Sequence, residues 1–128
     1  YYGGVVYTMP LYGSIMFFFM MANISLPGTA SFVGEFMVLL GAYSANTTVA
    51  VFSTTGVILG CAYSLWLMNR ILFGNQKIYP LSMSIDLNRR ETFVFIPLIL
   101  LTLWFGMYPK VLMDVIHVPT TILLYNGL

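Results

Sequence analysis

One carboxylate, Glu35, lies within an apolar stretch that reads SLPGTASFVGEFMVLLG, residues 25–41. A charged side chain near the centre of a bilayer costs about 2.5–3.5 kcal/mol on insertion scales, so such residues face protein or water and often mark ion paths. Pro27 and Gly28 precede it and break the helix, and the free N–H groups at the start of the following helical segment favour a nearby anion. The pattern predicts proton or ion handling by Glu35. The alternative is a packing role, in which the carboxyl group hydrogen-bonds to a neighbouring helix.

A second polar pair, Asp114 and His117, is spaced so that both side chains share one face of a helix. Histidine changes charge near neutral pH, so this pair could relay protons on the outer side of a membrane. The simpler interpretation is a solvated pair at the membrane surface.

Cys61 is the only cysteine, which excludes an internal disulfide and any multi-cysteine metal site. No nucleotide-binding loop, nucleophile triad or metal-ligand cluster is present, which argues against an autonomous soluble-type enzyme.

The elements that position these residues are predicted to be membrane helices. The chain has 128 residues, of which 59% are hydrophobic and 7% are charged, and its mean hydropathy is +0.89. A soluble domain carries about 25% charged residues, so this chain could not cover its surface with polar side chains. We therefore expect an all-α integral membrane protein surrounded by lipid. The net charge of +1 and the lack of a basic run indicate no nucleic-acid partner.

The first predicted span covers residues 11–43. It is longer than the roughly 20 residues that cross a bilayer, and its middle holds the Pro-Gly pair. We therefore expect two half-helices, broken in mid-membrane at residues 26–30. Irregular backbone at that depth is tolerated only where protein buries it or where it lines a hydrated cavity.

Two further spans are predicted at residues 47–72 and 92–108, within a single membrane region that covers residues 1–128. The remaining segment, 109–128, has mixed polarity and is interrupted by Pro119. It is too broken for a fourth span, so we expect it to lie on the membrane surface or to pack on a partner.

The basic residues predict the orientation. Only Lys110 lies beyond the third span, and the other four flank or occupy the loop 73–91: Arg70, Lys77, Arg89 and Arg90. The positive-inside rule then places this loop on the matrix or cytoplasmic side.

The stretch around Glu35, extended to SLPGTASFVGEFMVLLGAY, resembles the C-terminal region of the chain 4 family (chain M in bacteria) of the respiratory NADH–ubiquinone oxidoreductase, complex I. The likeness continues in order through AYSLWLMNRILFG (62–74), DLNRRETF (86–93) and WFGMYPKVLMDVIH (104–117). The sister antiporter-like chains and the related cation/proton antiporter subunits typically carry lysine at the position of Glu35. The glutamate therefore favours chain 4.

This resemblance implies a proton-pumping membrane arm that couples electron transfer from NADH to ubiquinone to proton translocation. The broken span would be the family's twelfth helix, and Glu35 would belong to its buried charge relay near the outer half-channel. Glu35 would change protonation in step with charged groups on neighbouring helices. The family's topology also places the loop 73–91 inside.

The family's chain has many more helices than the three predicted here, and its central lysines would lie upstream of this sequence. The chain is then either the tail of a longer subunit or a separately made piece completed by an N-terminal polypeptide. Its other partners would be membrane-arm subunits. NADH, flavin, iron–sulfur clusters and quinone would all be bound by other subunits, and no activity is expected from this chain alone. Its Phe-, Tyr- and Met-rich composition favours the mitochondrial inner membrane over a bacterial plasma membrane.

Two alternatives stay open at this point. The chain could belong to a related cation/proton antiporter or membrane hydrogenase, or it could be a purely structural membrane fragment. Recovery of the chain with quinone-dependent NADH oxidation would separate the first alternative from complex I. Replacement of Glu35 by glutamine would test the second.

Overall fold

The computed structural model describes residues 3–75 and 85–127, and the regular structure in these ranges is helical throughout. The predicted all-α fold is confirmed. In chain order the described helices are α1 (Val5–Thr8), α2 (Pro10–Asn23), α3 (Ala30–Ala45), α4 (Thr47–Leu72), α5 (Arg89–Met107) and α6 (Lys110–Asn126).

Two of these helices, α4 and α5, are long and apolar enough to cross a membrane. At a rise of about 1.5 Å per residue, the 26 residues of α4 extend about 39 Å and the 19 residues of α5 about 28 Å. The hydrocarbon core of a bilayer is about 30 Å thick. The apolar α3 is shorter, with 16 residues, and cannot span this thickness alone.

The first predicted span is divided as expected into two helices, α2 and α3, joined by residues 24–29. Both pack on α4, which runs beside them in the opposite direction. The N-terminal half of α4 contacts α3 through Ala50 and Val51, and its C-terminal end contacts α1 and α2 through Met68 and Leu72. One long helix therefore supports both half-helices and the link between them.

The best-packed cluster lies at the end of α4. Val5, Met68 and Leu72 are buried there. Four methionines pack around them: Met9, which lies between α1 and α2, and three on α2, Met16, Met20 and Met21. Methionine is flexible and fills irregular gaps, which suits a junction where three helices meet. The short α1, which takes part in this cluster, was not predicted.

Helix α5 begins at Arg89, three residues before the start of the predicted third span at residue 92. The reason is a local cap: the Glu91 carboxylate accepts the Asn88 N–H at 3.0 Å, which satisfies a backbone donor just before the helix.

The interruption predicted at Pro119 is wrong, because α6 continues through this residue from Lys110 to Asn126. Proline removes one helical hydrogen bond, but neighbouring hydroxyl groups add contacts to the same stretch of backbone. The Thr120 hydroxyl donates to the Ile116 carbonyl at 2.8 Å. None of the α6 side chains is buried, so its placement on a surface or a partner stays a prediction. Lys77 and the centre of the loop 73–91 lie outside the described residues.

Candidate functional site

The break begins with a Schellman motif at the end of α2. The Leu26 N–H donates to the Met21 carbonyl at 3.2 Å, and the Ser25 N–H donates to the Ala22 carbonyl at 3.0 Å. This motif places one residue in the left-handed region, a position that glycine usually occupies. Here the residue is Ser25, with φ of 65°.

A tight turn completes the link. The N–H and the hydroxyl of Thr29 both donate to the Leu26 carbonyl, at 3.1 Å and 2.7 Å. Between them, Pro27 supplies no N–H, and Gly28 has φ of 98°, a conformation that glycine adopts without steric cost. Because the Thr29 hydroxyl is used inside the turn, it does not cap the first turn of α3.

The end of α5 contacts this turn at very short range. A Cβ atom added at Gly106 would collide with the Gly28 carbonyl and with the backbone of Thr29. Only glycine allows the two backbones to approach so closely. Gly106 belongs to the WFGMYP segment, but its role depends on a contact between distant residues and was missed from the sequence.

Glu35 lies in the second turn of α3 and lines a cavity of about 380 Å³ between the end of α2 and the middle of α4. Asn23 and Ser53 are polar neighbours in the same lining, and the glycines Gly56 and Gly60 form part of the opposite wall. A polar cavity of this size has room for several water molecules. The arrangement can therefore supply a carboxyl group with hydrogen-bonded solvent at the level of the break.

Gly56 and Gly60 are spaced like a helix-packing motif on α4. Among the described residues, however, the space next to both glycines is largely open. A Cβ at Gly56 would meet nothing within 4 Å, and one at Gly60 would meet only the Tyr63 ring at 3.7 Å. The two glycines thus leave space beside Glu35.

A further polar contact, missed from the sequence, joins the α4–α5 loop to α2. The Asp86 carboxylate accepts the N–H groups of Leu11 and Tyr12, at 3.1 Å and 3.2 Å, and that of Leu87 at 2.8 Å. The helix has no side-chain cap of its own, since Met9 holds the N-cap position. Asp86 therefore caps α2 from across the fold.

The same contacts set the charge state of Asp86. Desolvation raises the pKa of this carboxyl, but the hydrogen bonds from Leu87, Leu11 and Tyr12 together outweigh it, so the pKa lies below its ordinary value. Asp86 is thus held as the anion, which the positive end of the α2 dipole also favours.

The predicted outer pair is not part of the cavity. Asp114 and His117 both lie on α6 and are exposed, and neither lines the space around Glu35.

Arg70, near the end of α4, lies 4.3 Å over the Trp66 ring. Within residues 3–75 and 85–127, no three His, Cys, Asp or Glu side chains come together as a metal site.

Comparison with known proteins defines the class. Residues 1–60, which include the break and Glu35, match the sequence profile of the family described as NADH:quinone oxidoreductase/Mrp antiporter, TM. The chain is therefore similar to an antiporter-like transmembrane region, and the predicted membrane protein is confirmed.

Individual relatives narrow this class. The chain is 51% identical over 127 residues to the NADH-ubiquinone oxidoreductase chain 4 of Arabidopsis thaliana, covering 99% of this chain and 26% of the relative. It is 49% identical to chain 4 of Marchantia polymorpha with the same coverage. It is also 50% identical over 115 residues to the NADH-quinone oxidoreductase subunit M of Rhodobacter capsulatus, covering 90% of this chain and 22% of the relative. The predicted resemblance to chain 4 is confirmed, and the chain spans about a quarter of the length of these relatives.

Proposed function

We propose that this chain is part of the proton-translocating membrane arm of an NADH–ubiquinone oxidoreductase, and that Glu35 relays protons there. One observation carries the proposal: Glu35 opens onto a polar cavity beside a helix break, in a chain about half identical to chain 4. No other acidic residue occurs before Asp86 in the sequence. Carboxylates inside membrane segments commonly belong to proton relays.

Two features of the surroundings of Glu35 support a relay role. The N–H groups in the first turn of α3 receive no side-chain cap, and the positive end of the helix dipole attracts anions. The cavity that Glu35 lines has room for water. Water in the cavity would exchange protons with the carboxyl group when neighbouring charges change.

The proposed proton relay needs further charged groups, such as membrane lysines, that this sequence does not contain. The sequence covers about a quarter of its relatives, and the lysines that the family uses would lie in the remaining helices. We propose that the remaining helices of the same subunit, whether on this polypeptide or on a separate N-terminal one, pack beside residues 11–43, together with other membrane-arm subunits. On this proposal NADH, flavin, iron–sulfur clusters and quinone are bound elsewhere, so the chain is a non-redox subunit without activity alone.

We place the complex in the mitochondrial inner membrane with the loop 73–91 on the matrix side. Two observations support this placement. The plant relatives are named NADH-ubiquinone oxidoreductase chain 4, as in the predicted resemblance. Four of the five basic residues also flank or occupy that loop.

The test is a Glu35→Gln variant in the intact complex. Glutamine keeps the size and the hydrogen-bonding oxygen but cannot release a proton. We expect the proton-transfer step that Glu35 serves to slow by about 10²–10⁴-fold, a range typical for loss of a general acid–base group. The measurements are the rate of proton translocation and the number of protons translocated per NADH oxidised, both in sealed vesicles.

The matched control is Glu35→Asp, which retains an ionisable group in the same cavity and should restore part of the pumping. Assembly is checked by the amount of intact complex on a native gel. If Glu35→Gln assembles normally and pumps as many protons per NADH as the wild type, Glu35 is not a relay residue.

A further inference from the structure

Ser25 combines two unfavourable features at the helix break. Its backbone is left-handed, with φ of 65°, at the position of a Schellman motif where glycine is usual. The residue is 9% exposed, and its hydroxyl oxygen is buried with no hydrogen-bond partner among residues 3–75 and 85–127. Glycine would remove both costs, so the backbone geometry alone does not explain a serine here.

Thr29, at the other end of the same link, provides an internal comparison. It is 3% exposed, and its hydroxyl donates to the Leu26 carbonyl at 2.7 Å. Burial in this link is therefore compatible with a satisfied hydroxyl group. Buried polar groups are nearly always paired with protein or with ordered water, and the Ser25 hydroxyl has no such partner among the described residues.

The backbone next to Ser25 also contains a carbonyl group, that of Asn23, which lacks its usual helical partner. In a continuous helix, the Asn23 carbonyl would accept the N–H of residue 27, but that residue is Pro27 and has no N–H. Asn23 and Ile24 line the cavity that contains Glu35. Ser25 follows them directly in the chain. Polar atoms without helical partners are thus concentrated where α2 ends beside this cavity.

We propose that Ser25 binds a water molecule at the helix break, and that this water extends the hydrogen-bonded path from the Glu35 cavity into the break. A buried water needs two to four polar partners. The Ser25 hydroxyl can donate a hydrogen bond to water or accept one from it, and the Asn23 carbonyl can accept one. The inference rests on the proposed relay role of Glu35. Ser25 acts as a positioning residue: its hydroxyl stays neutral, and the proton moves between the Glu35 carboxyl group and water with no electron transferred.

Two substitutions in the intact complex separate the hydroxyl from the backbone. Ser25→Ala removes the hydroxyl and keeps a side chain in the left-handed region, whereas Ser25→Gly removes both the hydroxyl and the steric strain. We expect both variants to assemble and oxidise NADH, and both to lose proton translocation per NADH several-fold. We also expect the solvent density next to residue 25, seen by high-resolution electron microscopy of the wild-type complex, to be absent from both.

The control is Ser44→Ala, because the Ser44 hydroxyl donates to the Gly41 carbonyl at 2.8 Å within α3 and lines no part of the cavity. It should pump normally. Normal pumping by both Ser25 variants, or by Ser25→Gly alone, would overturn the water site, as would a wild-type map in which a protein side chain occupies the place of the water. Glu35→Gln is measured in parallel: if it loses pumping and the Ser25 variants do not, only this inference fails. If Glu35→Gln also pumps normally, the relay itself fails.

Discussion

Three glycines near the site have different physical roles, and each role predicts a different result on substitution. Gly28 adopts a left-handed conformation, Gly106 allows two backbones to touch, and Gly56 leaves open space beside Glu35. The sequence shows all of them as glycine and does not separate these roles. Only the positions of atoms from distant segments do so.

Gly106→Ala should be strongly disruptive. The added Cβ would overlap the Gly28 carbonyl, and backbone cannot move away as a side chain can. Overpacking of this kind typically costs about 1–3 kcal/mol, so we expect less assembled complex and a lower thermal midpoint. The control is Gly41→Ala on α3, where a Cβ meets nothing within 4 Å. Equal amounts of complex for both variants would contradict the close contact.

Unlike Gly106→Ala, the Gly56→Leu variant should assemble normally but translocate fewer protons. A Cβ at Gly56 has open space around it, so a leucine can enter the cavity of about 380 Å³ and displace water next to Glu35. The control is Gly41→Leu, which adds the same volume away from the cavity. Protons translocated per NADH should fall for the first variant only. A similar fall in both would indicate a general effect of the added side chain.

At the scale of helices, the α2 N-terminus depends on a residue 75 positions away, since Leu11 donates to Asp86. The sequence predicts helix α2 from its apolar residues but gives no sign of this cap. The link between α2 and α3 was easier to predict, because Pro27 and Gly28 act on the backbone locally. The start of α5 at Arg89, before the predicted span, likewise depends on a local feature that the sequence analysis did not use, the Asn88–Glu91 cap.

The Asp86 contact should weaken at low pH. Its pKa is lowered in the folded protein, so its stabilising effect is fully present above the pKa of the unfolded chain and is lost as the pH falls through the folded value. We expect the protection of the Leu11 and Tyr12 amides, measured relative to their intrinsic exchange rates at each pH, to fall once the pH drops below the ordinary carboxyl range. Hydrogen exchange with mass spectrometry on the intact complex measures this.

Asp86→Asn provides the matched variant. Asparagine keeps one acceptor oxygen but no charge, so exchange at Leu11 and Tyr12 should be faster at neutral pH and should no longer follow a carboxyl titration. Glu91→Gln is the control, because Glu91 caps α5 and does not contact α2. An unchanged pH profile in Asp86→Asn would show that another group controls the α2 terminus.

At the scale of the whole molecule, much of the apolar surface is uncovered. Helices α3, α5 and α6 bury none of their side chains, and large residues such as Phe93 and Trp104 are mostly exposed. Lipid can cover part of this surface, but the polar cavity at Glu35 also opens on it. We therefore expect the chain to be stable only together with the helices that complete its relatives.

This expectation can be measured by cross-linking and mass spectrometry of the intact complex. Residues 11–43 should cross-link to a polypeptide, or to a preceding part of the same one, that carries buried lysines. The chain expressed alone in vesicles should not conduct protons. If residues 11–43 contact only lipid, the proposed relay has no route beyond Glu35.

The membrane class, the break and the resemblance to chain 4 were accessible from the sequence, because composition and local motifs carry them. The continuity of α6 through Pro119 was not, since local propensity argues against it. The cavity and the Gly106 contact were also inaccessible, because both depend on which segments meet in space.

The contact between Gly106 and Gly28 also has a mechanical consequence. The link between α2 and α3 touches α5 backbone to backbone, with no flexible side chain between them to absorb a displacement. A change in the shape of this link would therefore displace the end of α5 as well. Because Tyr108 and Pro109 connect that end directly to α6, such a displacement would also reach the first turn of the C-terminal helix.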